Sequence, residues 1–217
     1  MLVGERMSKP VITVSPDTSI QEALNRMHAN HIRRLPVLNN KGKLLGIITE
    51  QDLLHASPSD ATSLSIWEMK FLLSKIQISE VMSKEVVTVN HDTPVEVAAR
   101  IMADRKIGGL PVLQNGELTG IITETDLFRI FLEMLGAYNA GIRVTVLIPN
   151  IPGELSQITT AIHDAGGNII SLSTALGDST ATGEVIFKVE GIAAEELRGI
   201  LEPLVDEIVD LREMGSG

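Results

Sequence analysis

The chain has 217 residues and a formal net charge of −10, from 28 acidic and 18 basic side chains. That balance argues against a nonspecific hold on nucleic acid or an anionic membrane. It contains no cysteine, which removes disulfides, thiolate metal sites and cysteine nucleophiles.

Aromatic residues make up 3% of the chain, so the core is expected to be Val, Ile, Leu, Ala and Met. No apolar run reaches the length of a membrane span and the first residues lack a signal-peptide apolar stretch, so a cytoplasmic protein is expected.

Residues 7–53 return as residues 82–127, and with Lys41 skipped 25 of 46 aligned positions are identical. Chance does not produce this, so the first two thirds are a duplicated module. Each copy opens with a β-rich run (residues 11–14 and 86–89). An Asp-Thr pair suited to capping a helix follows (Asp17 and Thr18; Asp92 and Thr93). Apolar residues then recur at Ile20, Ala23, Leu24 and Met27, and at Val95, Ala98, Ala99 and Met102, the spacing of one helix face. A strand (35–38; 110–113), a Gly-containing turn (39–42; 114–116) and a second strand (45–49; 119–123) form an expected hairpin. A second helix opens at Thr49 or Thr123, each followed by an acid. The unit reads β-α-β-β-α. Between the copies, Trp67, Phe71, Leu72 and Ile76 recur at helical spacing and predict a packed connecting helix.

The tandem pattern V-x-T-V, helix, L-P-V-L, then G-I-I-T-E-x-D-L resembles a pair of CBS domains, a Bateman module, over roughly residues 1–136. The resemblance implies a regulatory protein that holds adenosine ligands in its clefts.

After a small-residue linker at 136–141 the repeat stops. A β-rich run (142–148) leads to Pro149-Asn150-Ile151-Pro152-Gly153. A helix with Leu155, Ile158, Ile162 and Ala165 on one face ends at Gly166-Gly167. Residues 168–173 and 183–189 read as strands around a polar turn at 177–182, 193–201 as a helix, and 208–211 as a fourth strand. That β-α-β-β-α-β order is the ferredoxin-like arrangement. The run R-V-T-V-x-I-P-x-x-P-G-x-L-x-x-I, with G-x-N-I behind it, resembles an ACT domain over about residues 142–213. Many ACT domains carry Asp where Asn150 stands. A CBS pair followed by ACT is similar to bacterial acetoin-utilisation B-type regulatory proteins.

In Thr49-Glu50-Gln51-Asp52 and Thr123-Glu124-Thr125-Asp126, a hydroxyl and a carboxylate stand three residues apart at a strand-to-helix corner. Such a corner suits a phosphate at the hydroxyl and backbone N–H groups and a ribose diol at the carboxylate. The same residues also suit a plain helix start, with Thr as N-cap and Asp as a first-turn acid. By resemblance the adenine walls are Val11, Ile12, Val86 and Val87, with Pro36 and Pro111 on the neighbouring strands. Arg33 and Arg34 precede Leu35-Pro36, where copy two carries Gly108 and Gly109, so the two sites are expected to be unequal. The arginines either meet nucleotide phosphates or form a solvated basic stretch. His28 and His31 are three apart but no third ligand completes a set, and no metal site is expected.

The expected fold is α+β: CBS module 1 at residues 1–66, a connecting helix with CBS module 2 at 67–136, and an ACT domain at 142–213. The expected function is sensing of AMP, ADP, ATP or S-adenosylmethionine, with no cofactor and no catalytic residues. The nucleotide set is Thr49, Asp52, Thr123, Asp126, Ile12, Val87, Pro36, Pro111, Arg33 and Arg34. A second ligand, an amino acid, would meet Asn150, Ile151, Pro152, Gly153, Glu154, Leu155, Asn168 and Ile169. A homodimer acting on a target protein is implied, and an adaptor with empty clefts is the alternative.

Overall fold

In the computed structural model residues 1–56, 65–176 and 181–215 are described, and the chain divides into two compact units, Met1–Leu127 and Phe128–Gly217. Part of the expected polar turn at 177–182 lies outside the described residues.

The first unit runs α1 (Val3–Arg6), α2 (Ile20–Ala29), β1 (Arg34–Leu38), β2 (Leu44–Thr49), α3 (Glu50–His55), α4 (Ile66–Leu73), α5 (Ile78–Val81), β3 (Val89–Asn90), α6 (Val95–Arg105), β4 (Gly109–Gln114) and β5 (Glu117–Thr123), and α7 (Glu124–Met134) begins at its end. Both hairpins form as expected, β1 against β2 and β4 against β5, antiparallel. The second turns at Asn115 and Gly116, both at positive φ (53° and 83°), which matches the handedness of the flanking strands. Module one buries Ile20, Ala23 and Met27 of α2 against Leu35, Val37 and Ile48 of the hairpin, the face that the sequence spacing marks.

Two local expectations fail. The opening β-rich runs shrink to a single parallel bridge, Val14 to Val37, and to the two residues of β3. The Asp-Thr pairs do not cap. Ser19 caps α2, accepting from the Glu22 N–H at 3.2 Å, and Pro94 stands at the start of α6 without a side-chain cap. The hydroxyls of Thr18 and Thr93 instead accept from the backbone N–H of Ser15 and Asn90, closing the turns one residue earlier.

The two copies exchange their leading segments. Residues before and at the very start of copy one bond to copy two: Val3 N–H donates to Thr93 O, and Ser8 and Ile121 exchange two backbone hydrogen bonds. Residues before and at the very start of copy two bond to copy one in the same pattern: Ile78 N–H donates to Thr18 O, and Ser83 and Ile47 exchange two. The crossing strands need glycine where a segment passes. A Cβ at Gly46 would stand 2.6 Å from Met82 Sδ and 2.9 Å from Ser83 O, and one at Gly120 would collide with the Met7 side chain.

The expectation of a packed connecting helix is corrected. Leu73 and the following Ile76 pack on the module-one core, but Trp67 is 80% and Phe71 62% exposed. Helical spacing marks a face and does not say that the face is covered.

The second unit contains β6 (Gly141–Pro149), α8 (Glu154–Asp164), β7 (Asn168–Leu176), β8 (Thr182–Glu190), α9 (Ala194–Leu201) and β9 (Glu207–Met214). The sheet order is β7-β8-β6-β9. Ile142, Val144, Val146 and Ile148 of β6 and Val185, Phe187 and Val189 of β8 form one core with Ile158, Ile162, Leu197 and Leu201 of the helices. Alternate residues therefore face α8 and α9, as period-2 patterning requires. On the opposite face Lys188 is 3% exposed, and its Nζ donates to the carbonyls of Gly136 and Asn139 at 2.9 and 2.5 Å. The expected linker is thus pinned to its own sheet by a buried ammonium.

Candidate functional site

The exchange of leading segments decides which residues share a cleft. Behind the β2–α3 corner lies a cleft of about 600 Å³ lined from both copies. Copy one supplies Arg33, Arg34, Ile47 and Thr49 through Asp52. Copy two supplies Ser83, Glu85, Val86, Val87, Lys106 through Gly109, and Pro111. Six expected nucleotide residues meet here: Thr49, Asp52, Arg33, Arg34, Val87 and Pro111. Ile12, Pro36, Thr123 and Asp126 do not line this cleft. Ile12 lies in the opening run of copy one and packs against the module-one core, while Ser8 at the start of that copy bonds to copy two. Ser83 and Glu85 escaped the sequence reading. The signal available for Ser83 was the Met-Ser-Lys triplet that opens both copies.

At this corner Thr49 caps α3 and Asp52 closes the box. Asp52 Oδ2 accepts from Thr49 N–H at 2.9 Å and from Thr49 Oγ1 at 2.7 Å, and Thr49 Oγ1 accepts from the Asp52 N–H at 3.2 Å. The helix-start reading is therefore realised, and it occupies one carboxylate oxygen. Asp52 Oδ1 accepts no hydrogen bond among the described residues, and Asp52 lines the cleft. The Thr123 and Asp126 corner repeats the geometry, with Oδ2 accepting at 2.9 and 2.7 Å. There the other oxygen, Oδ1, also accepts from Ser8 Oγ at 3.3 Å, and Asp126 is 6% exposed.

Arg33 is exposed and Arg34 half-buried. The Arg34 guanidinium donates to the Gly108 carbonyl. Burial lowers its pKa from the ordinary arginine value, and the Glu124 carboxylate acts in the opposite direction. This arginine lies over the copy-two glycines that stand where copy one has Arg33 and Arg34: a Cβ at Gly108 would meet its Nη2 at 2.5 Å and Glu124 Oε2 at 2.7 Å. His28 Nε2 stands 3.4 Å from Glu50 Oε1. No group of three or more candidate metal ligands occurs among the described residues.

In the second unit a cleft of about 440 Å³ is lined by residues 148–155 together with Thr174, Ala175 and residues 183–185. Asn150, Ile151, Pro152, Gly153, Glu154 and Leu155 are thus brought together as expected. Asn168 and Ile169 are not. They start β7 while Thr174 and Ala175 lie toward its far end, and Asn168 Nδ2 donates to Glu190 Oε1 at 2.8 Å. In one chain, strand length separates them from the cleft. Gly153 holds φ +106° at the start of α8, and a Cβ there would meet nothing within 4 Å. Its glycine is a requirement of the backbone and not of space.

The sequence model of the CBS domain matches residues 3–59 and 78–133. A CBS domain-containing protein of Dictyostelium discoideum is 38% identical over 136 residues, covering 62% of this chain and 94% of that protein. An L-aspartate semialdehyde sulfurtransferase of Methanocaldococcus jannaschii is 34% identical over 131 residues, 60% of this chain but 23% of the enzyme. The chain thus spans nearly all of the first relative and about a quarter of the second.

Among solved structures, a CBS domain pair in complex with 5′-methylthioadenosine and S-adenosyl-L-methionine is 33% identical, with TM-score 0.51 over 60% of this chain and 95% of that one. A candidate acetoin utilization protein (AcuB) of Vibrio cholerae is 30% identical, with TM-score 0.53 over 63% and 93%. CBSX2 in complex with AMP is 28% identical, with TM-score 0.53 over 61% and 97%. The duplicated module, its exchanged segments and a match over more than half of the sequence agree: the chain belongs to the CBS domain family.

Proposed function

We propose that the chain is a cytoplasmic regulatory protein, not an enzyme, that senses an adenosine ligand in the cleft holding Asp52. The observation that carries this reading is the convergence of Thr49, Asp52, Arg33, Arg34, Val87 and Pro111, from both copies, on one cleft. The apolar Val86 and Val87 suit an adenine, the spare Asp52 oxygen suits a ribose diol, and Arg33 and Lys106 suit a phosphate. Similar CBS pairs are solved with AMP and with S-adenosyl-L-methionine, which supports AMP, ADP, ATP or S-adenosylmethionine as ligand. The domain limits 1–66, 67–136 and 142–213 belong to this reading.

The second unit is proposed to be an ACT domain that takes an amino acid beside residues 150–155. The β-α-β-β-α-β order and the cleft at Gly153 support it. Asn168 and Ile169 would then serve that site from a second copy, in a homodimer. Ligand occupancy would shift the population of module arrangements read by a target protein.

Thermal unfolding of the full chain tests the sensor. A ligand at about 100 times its dissociation constant stabilises the native state by about 2.7 kcal/mol, a shift of about 5–10 °C. If none of AMP, ADP, ATP and S-adenosylmethionine moves the transition, the sensor reading falls. The adaptor reading, which the exposed Trp67 and Phe71 favour, then takes its place.

A further inference from the structure

The cleft of the second unit is lined in a way that restricts what can enter it. Two large aliphatic side chains on its lining, Ile151 and Leu155, are 59% and 36% exposed and take no part in the core of that unit. Ile148 and Val185, which are buried in the core, also line it. Its charged lining consists of Glu154 and Glu184, with no lysine, arginine or histidine. Both glutamates are half-buried, and neither makes a hydrogen bond or ion pair among the described residues. At the start of α8 the N–H groups of Ser156 and Gln157 donate to Gly153 O, whereas those of Glu154 and Leu155 have no carbonyl of the helix to reach.

We propose that this cleft selects an amino acid with an uncharged aliphatic side chain, of the leucine, isoleucine and valine class. The inference rests on the reading of the second unit as an amino-acid site, and it names the side chain that the site prefers. The ligand carboxylate meets the N–H groups of Glu154 and Leu155, and its ammonium meets a glutamate. The aliphatic side chain then covers Ile151 and Leu155, which water otherwise faces. An acidic side chain would enter a site that already holds two carboxylates and no cation. A hydroxylated side chain would give up water to lie against aliphatic groups. Lysine is the stringent comparison, because the second glutamate offers its ammonium a partner. That glutamate stands half in water, where an ion pair adds little, while each methylene placed in an apolar pocket is worth about tenfold or more in binding.

Titration calorimetry of the full chain with leucine, isoleucine, valine, alanine, serine, lysine and aspartate tests this. At least one of the first three should bind about tenfold or more tighter than alanine, serine and lysine, and aspartate should not bind. Leu155→Ser, outside the core, should weaken that binding about tenfold with the thermal transition kept. Alanine, serine or lysine within about threefold of the best aliphatic ligand, or measurable binding of aspartate, overturns the inference while the amino-acid reading stands. Aliphatic binding unaltered by both Leu155→Ser and Ile151→Ser puts the ligand outside this cleft and overturns it as well. If no amino acid binds, the amino-acid reading falls and the inference with it. Should Leu155→Ser lose the cooperative unfolding of the parent chain, Ile151→Ser and the order of affinities decide.

Discussion

The exchange of leading segments makes a quantitative demand on Gly46 and Gly120. At Gly46 an added Cβ would stand 2.6 Å from Met82 Sδ and 2.9 Å from the Ser83 carbonyl oxygen. That carbonyl accepts from Ile47 N–H, and Ser83 N–H donates to Ile47 O, both at 3.0 Å. The backbone therefore cannot retreat without stretching two hydrogen bonds. Overpacking costs about 1–3 kcal/mol, each weakened bond adds up to about 1 kcal/mol, and the stiffer unfolded chain returns about 0.4–1 kcal/mol. Gly46→Ala should therefore lose up to about 4 kcal/mol. At Gly120 the three nearest atoms all belong to the Met7 side chain, which can swing away, so Gly120→Ala should lose about 0–2 kcal/mol by the same terms. The double variants sharpen the contrast. Met7→Ala should remove nearly the whole penalty of Gly120→Ala, whereas Met82→Ala should leave much of the Gly46→Ala penalty, because the carbonyl stays. Urea unfolding of the full chain, followed by circular dichroism and compared at equal m, measures all six variants. Equal costs at the two glycines, or full rescue of Gly46→Ala by Met82→Ala, would refute the proposition that the segment backbone sets the glycine.

Two further outcomes are expected in the second unit. Lys188→Met keeps the length of the side chain but leaves the Gly136 and Asn139 carbonyls without their donor. It should cost about 1–3 kcal/mol in thermal unfolding, and a variant as stable as the parent would show that the ammonium does not hold the turn. Gly153→Ala faces open space but sits at φ +106°, so it should cost about 1–2 kcal/mol from the backbone alone. An unchanged melting temperature would mean that the loop relaxes without strain.

Sequence periodicity reached as far as contacts within one module. The α2 face, both hairpins, the Thr49 and Thr123 helix starts and the Gly166 helix end were legible because each depends on residues a few positions apart. The pairing of segments was not, because two near-identical copies fit either arrangement equally well in pattern. Hence Ile12 and Val87 could be named as apolar walls but not assigned to a cleft: Val87 lines the cleft of Asp52, and Ile12 packs on the module-one core. Trp67 failed for another reason. An apolar stripe reports a face, but coverage depends on what is available to pack there, and the core of module one closes on Leu73 and Ile76. Asn168 stands in a motif with the residues after α8, yet nine residues of β7 carry the chain the length of the sheet before it reaches the cleft.

Exchange of segments also explains how a cleft of this kind can report its state. Had each copy kept its own leading segment, a ligand at Thr49 and Asp52 would touch one module and leave the other indifferent. Here the cleft of Asp52 is also lined by Val86 and Val87, which follow the segment that Ser83 ties to β2, and by Lys106 to Gly109 after α6. A ligand bound there would contact both modules at once, so a difference in their spacing would change its contacts, and by linkage its binding would favour one spacing. The coupling can be no larger than the difference in affinity between the two arrangements. Arg34 also joins the two modules at this cleft, since it donates to the Gly108 carbonyl just before β4.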